Sequence, residues 1–351
     1  MTAVRRPDGG GVPVTPPDKP QRQEGDGPHY TPWIFFDHDD PSAPTGVFYL
    51  SPDLWVESSL GHNLPKEGEP NRVFARVHNR GLMDATNVNV RFYWADPSAA
   101  ITEASAHPIG GSGAAATRTG VFIPAAASPG ADSSVVVACP SPWYPVHLGH
   151  ECLLAKAWCP GLDPAGGAEP ALDPVSDRHA AQHNVNVQLL PPGGNFAISV
   201  VVANIGRFEQ RARIEVHALP FEQVARSLAG LRVALRGKPA RPERGLPVKV
   251  ALDEERSFLV QHDAALARLL LAADGAAGEG RRGASAGVLV AGFDAVLAPW
   301  EQRSLRLQGR VPDGARPGEV FGFEVTQRLG GLLTGGYQCL VAVGHPRRQD
   351  G

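Results

Sequence analysis

Apolar residues recur at every second position along most of this chain, in short runs separated by Gly, Pro, Asn and Asp. A period of two puts one set of side chains on one face of an extended strand, so the pattern predicts β-structure rather than helix. It is clearest in Val73, Ala75, Val77 and in Val88, Val90, Phe92, Trp94, where the intervening positions are largely polar. Strands are predicted at 48–57, 72–79, 87–95, 119–123, 133–139, 150–158 and 183–190, and seven short strands with one buried face suit a β-sandwich. The second half repeats this alternation in Phe196, Ile198, Val200, Val202 and in Ala212, Ile214, Val216, Ala218, and further strands are expected at 287–297, 304–311, 319–327 and 336–343. Two stretches switch to helical spacing, 220–229 with Val224 and Leu228 on one face, and 257–273 with Leu266, Leu269 and Leu270. Pro191-Pro192-Gly193-Gly194 breaks any strand and marks a domain boundary.

The run Pro70-Asn71-Arg72-Val73-Phe74-Ala75-Arg76-Val77-His78-Asn79-Arg80-Gly81, followed by Ala85-Thr86-Asn87-Val88-Asn89-Val90-Arg91-Phe92-Tyr93-Trp94, resembles the bacterial cell-adhesion-related (CARDB) Ig-like modules, whose core signature is V-x-V-x-N-x-G then A-x-x-V-x-V. Gly149 to Ala155 and Asp177 to Val187 resemble the last two strands of such a module, so the likeness covers about 47–190. It implies a non-catalytic β-sandwich that serves as an accessory or assembly part of larger bacterial proteins and particles. Asn204-Ile205-Gly206 echoes Asn79-Arg80-Gly81 in the second half. The expected fold class is therefore all-β: two Ig-like β-sandwich domains in tandem, 32–190 and 195–345, the second with short helical insertions, and a tail at 346–351. Residues 1–31, with six Pro among charges and no aromatic before Tyr30, read as a disordered N-terminal arm.

Composition agrees with turn-rich β-structure. Gly 40 and Pro 33 together exceed the usual share in 351 residues, while 42% hydrophobic residues are too many for a disordered chain. The net charge of −3 argues against nucleic acid as a partner, because such binding neutralises many phosphates. That figure hides an asymmetry. Residues 1–190 hold 12 Lys+Arg against 20 Asp+Glu, net −8, and residues 191–351 hold 21 against 16, net +5. Opposite ends favour head-to-tail contact between copies, or contact with another charged subunit. No apolar stretch has the length of a signal peptide or a membrane span, which predicts cytoplasmic synthesis without membrane insertion, and for a particle component release as part of an extracellular particle.

Candidate chemistry is sparse. Gly283-Ala284-Ser285-Ala286-Gly287 matches a nucleophile elbow in letters, but a Gly/Arg loop precedes it and strand-like Val288-Leu289-Val290 follows, where an elbow needs strand then helix. No catalytic residue and no cofactor is expected. Nine of the 12 His precede residue 190, and His179 and His183 with Asp177 are weak metal candidates, since imidazole and carboxylate are zinc ligands. The four Cys are expected as free thiols, with a Cys139–Cys152 bond conceivable only in an oxidising place. Two interaction patches stand out: Trp33, Phe35 and Phe36, able to dock on their own domain or on a neighbour, and the basic loop with Arg236, Arg241 and Arg244. The functional expectation is a non-catalytic structural or interaction protein within a phage-tail-like or contractile-injection-like assembly, its partners other protein subunits. The alternative is a ligand-binding module for carbohydrate or metal accessory to an enzyme system, with Trp143, Tyr144 and Trp158 as the sugar-facing aromatics.

Overall fold

The computed structural model describes residues 29–37, 48–96, 101, 105–145, 152–164, 169–174, 177–204, 207–220, 223–225, 238–239, 248–252, 256–260 and 288–344. The regular structure of the described residues is nearly all β, as the alternation requires. The first half contributes β1 (Ile34–Phe35), β2 (Leu54–Ser58), β3 (Gly61–His62), β4 (Arg72–Asn79), β5 (Ala85–Ala95), β6 (Ala106–Pro108), β7 (Thr117–Ile123), β8 (Ser133–Ala138), β9 (Cys152–Trp158) and β10 (Ala180–His183). They form two sheets. In one, β8 lies along one side of β4 while β1 and β2 share the other, with β3 outside β2. In the other, β10, β9 and β5 run side by side, and β6 and β7 divide the far edge of β5. The alternating residues meet between them: Val73, Ala75 and Val77 of β4 share a core with Val88, Val90 and Phe92 of β5 and with Leu153, Ala155 and Ala157 of β9. Burying a side chain of the size of Val, Leu or Phe contributes roughly 1.5–3 kcal/mol, so this face drives the pairing.

The second half adds β11 (Val185–Leu190), β12 (Asn195–Ala203), β13 (Gln210–Ala218), β14 (Lys238–Pro239), β15 (Val248–Leu252), β16 (Arg256–Val260), β17 (Val288–Leu297), β18 (Gln302–Arg310), β19 (Glu319–Leu329) and β20 (Leu332–Val343). One sheet has the order β11-β20-β19-β13-β17 with β14 beside β19, and the other β12-β18-β15-β16. Ile198, Val200, Val202, Leu305 and Leu307 pack against Ile214, Val216, Phe321, Phe323 and Val325.

Two expectations need correction, and a third is described only in part. The stretch 183–190 is two strands rather than one: β10 pairs antiparallel with β9, and β11 pairs parallel with β20 in the second sandwich. Asn184 turns the chain from one to the other, its N–H donating to Tyr49 O (2.8 Å), its Nδ2 to Gly336 O (2.9 Å), and its carbonyl accepting from Gln338 N (3.0 Å). The helix expected from residue 257 does not begin there, because Arg256–Val260 pairs with β15; Phe258 and Val260 suit a strand, and a neighbour's ladder overrides a helical spacing. Residues 261–273 lie outside the described residues. Of the helix at 220–229, residues 223–225 form one turn on the Pro220 carbonyl, and the remainder past 225 is likewise outside.

The two sandwiches share more than a linker. β9 is buried along its whole length, Leu153, Ala155 and Ala157 facing the first core. Cys152 and Leu154, on its other face, join Tyr93, Ala95 and Ala180 in one cluster of buried side chains that continues into the second core.

Candidate interaction site

Asn79 is the residue on which the first sandwich closes. It ends β4 fully buried, accepts at Oδ1 from Trp33 N (3.0 Å) and Gly81 N (2.9 Å), and donates from Nδ2 to Met83 O and Pro124 O (3.0 Å each). All four capacities of the amide are used, which a buried Asn needs. Gly81 follows because a Cβ there would lie 2.0 Å from Thr31 O, so the N-terminal segment passes directly over it. The N-x-G of the sequence is thus a seat for residues 29–37.

That segment is held on both sides. Ile34 N donates to Asp163 Oδ2, Phe36 N to Arg178 O (3.0 Å) and Asp37 N to Asp53 Oδ2 (2.6 Å), while Arg80 N donates to Trp33 O (3.0 Å). The Arg178 guanidinium lies 3.7 Å from the Trp33 ring centroid and Arg80 is 4.7 Å from that of Phe35. Phe35 and Phe36 are buried. Of the two dockings that the sequence leaves open for Trp33, Phe35 and Phe36, the chain makes the one on its own domain. His29 stacks on Trp33 at 3.7 Å, so residues 29–31, expected as part of the arm, pack with the docked segment; residues 1–28 lie outside the described residues.

Beneath the segment is a buried ionic cluster. Arg178 pairs with Asp163, and His179 sits between Asp177 (Nδ1 to Oδ1, 2.7 Å) and Asp163 (Nε2 to Oδ1, 3.2 Å). Burial alone would lower the His179 pKa, but the two carboxylates outweigh it and hold it above its ordinary value. Burial likewise works to raise Asp177, and the bond from His179 prevails and holds it low. His183 is elsewhere, its Nδ1 3.0 Å from Ser51 O. Of the metal candidates, His179 and Asp177 meet while His183 bonds elsewhere, and among the described residues no group of three or more His, Cys, Asp or Glu could hold a metal ion. Of the sugar-facing aromatics, Trp143 and Trp158 are buried and only Tyr144 is exposed. Arg236, Arg241, Arg244 and Ser285 lie outside the described residues. None of the four Cys is in a disulfide; Cys139 follows β8 and Cys152 opens β9 in the other sheet, and burial pushes the Cys139 thiol up to about 11.

Sequence reasoning missed the seam between the sandwiches. The Tyr49 hydroxyl donates to Glu324 Oε1 (2.7 Å), both residues almost fully buried, and the Tyr49 ring lies so close over Gly336 that a Cβ there would be 2.1 Å from it. Burial first, then the Glu324 charge, raise the Tyr49 pKa well above its usual value. Glycine in the middle of β20 is the signal that marks such a close approach. It also missed Lys156, buried on β9 with Nζ 2.6 Å from Glu169 Oε1, an oxygen that Arg91 Nη1 reaches at the same distance. A lysine inside the apolar run Cys152–Trp158 is the signal there, because a buried charge demands a partner.

The CARDB family model matches residues 51–135, which carries a CARDB-type Ig-like module from just before β2 into β8. The match agrees with a β-rich interaction module over that stretch. No curated protein matches the chain. Among solved structures it is similar to a family 123 glycoside hydrolase from Clostridium perfringens (9% identity, TM-score 0.25, 47% of this chain and 23% of that one) and red sea bream transglutaminase (12%, 0.21, 84% and 31%). It is also similar to the CupB6 tip adhesin of Pseudomonas aeruginosa (6%, 0.22, 91% and 99%). The chain spans less than a third of the length of the first two, and at these scores none of the three bears on function. Among the described residues no helix is long and apolar enough to cross a membrane.

Proposed function

We propose that this protein is a structural component of a larger bacterial assembly, of the phage-tail-like or contractile-injection-like kind, made in the cytoplasm and joined to other protein subunits, copies of itself head-to-tail among them. The observation that carries the reading is the seam: Tyr49 on Glu324, Asn184 on Gly336 and Gln338, and β11 laid on β20 couple the CARDB-type module to the second sandwich. A body coupled in this way transmits a contact at one end to the other, which a subunit in a stack needs. Opposite net charge in the two halves, −8 and +5, supplies the attraction between successive copies. Sedimentation velocity at about 0.05 M and about 0.5 M salt tests it, since charge contacts weaken as screening shortens. Larger species at low salt that dissolve at high salt are expected. A particle that is the same monomer at both, with no subunit co-purifying from its native source, would contradict the reading.

A further inference from the structure

The two sheets of the first sandwich end, on one flank, in β7 and β8, and only one of these edges is protected. On the β7 side, pairing with β5 shifts register twice, Gly120 has φ 70°, and Arg118 is exposed. Bulges and charge are how edge strands avoid pairing with other chains. β8, Ser133-Ser134-Val135-Val136-Val137-Ala138, has no charge, no Pro and an unbroken register with β4.

Its hydrogen bonds have a definite direction. Cys139 N donates to Val73 O (2.9 Å), and Arg76 N on the other side of β4 donates to Asp53 O (2.7 Å), so β4 turns its odd residues toward β8 and its even ones toward β2. Val135 and Val137, opposite Val77 and Ala75, therefore bond β4. The N–H and C=O of Ser134, Val136 and Ala138 point the other way, and no strand among the described residues pairs there. The Val136 side chain, 51% exposed, stands on the outer face opposite Arg76.

We propose that β8 pairs antiparallel with β8 of a second copy about a two-fold axis through Val136. This register is the one that uses the whole free edge: Val136 faces Val136 of the other copy, Ser134 faces Ala138, and Pro140 opposite Asp132 ends the ladder. Along the β8 ladder no charge meets a like charge, and on the flanking β4 strands Arg76 and its counterpart lie three strand spacings apart, about 14 Å, beyond the Debye length of roughly 8 Å at physiological salt. The five strands of the first sheet become half of a continuous sheet that runs through both copies. A ladder this short buries less than a standard interface, so the dimer is weak and forms at high protein concentration. The proposal rests on the reading of the chain as an interaction module, and differs from head-to-tail contact in being two-fold and insensitive to salt.

Sedimentation equilibrium of the full chain over a concentration series at about 0.5 M salt separates the two. A monomer–dimer equilibrium is expected in the wild type. Val136→Lys sets two ammonium groups against each other, and Val136→Pro removes an N–H that bonds nothing in β4; each should raise the dimer Kd by about tenfold or more with unchanged far-UV circular dichroism. Val136→Thr should leave it within about twofold. A wild type that stays monomeric throughout, or a folded Val136→Lys that dimerises like wild type, overturns the proposal. If Val136→Lys does not fold, Val136→Pro and Val136→Thr decide it by the same comparison.

Discussion

Asn79, the last residue of β4, and Asn204, the first after β12, are both buried, and each spends its amide on backbone carbonyls. What they hold differs. Asn79 seats the chain's own N-terminal segment, through Trp33 N and Gly81 N, and closes the first sandwich. Asn204 joins two loops of the second, donating to Phe208 O (2.8 Å), Leu297 O (3.0 Å) and Ala298 O (3.1 Å). Those loops carry exposed aromatics, Phe208 at 78% and Trp300 at 62% of full exposure, the latter with φ 63°. One device thus seats the chain's own N-terminal segment in the first half and joins two loops that display aromatics in the second.

The largest effect is expected at Asn79. Asn79→Ala should lower unfolding free energy by about 3–4 kcal/mol, since four buried groups lose a partner, and Asn204→Ala by about 2–3 kcal/mol; chemical denaturation measures both. An Asn204→Ala value near zero would reduce the echo to a likeness of letters. Gly81→Ala comes next at about 2 kcal/mol, and because its Cβ meets Thr31 O it should free residues 29–37, giving red-shifted Trp33 fluorescence and faster proteolysis there. Tyr49→Phe should cost a similar or smaller amount, about 1–3 kcal/mol, by leaving the Glu324 carboxylate buried without its donor.

The smallest effect is a pH slope confined to the first sandwich. The folded His179 pKa is raised above 6.5, so its stabilisation is full below about 6.5 and is lost as pH rises through the folded value. His179→Gln should flatten that slope. The seam titrates at the other extreme: Tyr49 is raised, so its contribution holds below pH 10 and fades only as the hydroxyl ionises above it.

Much of this is legible in the sequence because alternation and burial are the same fact. The period of two marks Arg72–Asn79 to the residue, and the strands around Val88, Ser133, Phe196 and Ile214 to within a few. The seat on Gly81 is half legible, since N-x-G announces a turn but not the segment that crosses it. Docking of Trp33 to Phe36 stays open at that level, because apolar residues report a need for cover and not who supplies it. The split of 183–190 is invisible for a similar reason: Val185, Val187 and Leu189 suit either sheet, and Asn184 decides through Tyr49, Gly336 and Gln338, all far away along the chain. Spacing pairs His179 with His183, whereas the fold gives the first to Asp163 and Asp177 and the second to a backbone carbonyl.

That the two sandwiches act as one body underlies both the proposed assembly role and the comparison of Asn79 with Asn204. Hydrogen exchange of the full chain in rising denaturant, read by mass spectrometry on peptides from β4 and from β18, tests it directly. With a shared core through β9 and the Tyr49–Glu324 seam, both peptides should lose protection at one denaturant concentration, and Tyr49→Phe should draw them apart. Wild-type peptides that lose protection at separate concentrations would mean two independent domains on a string.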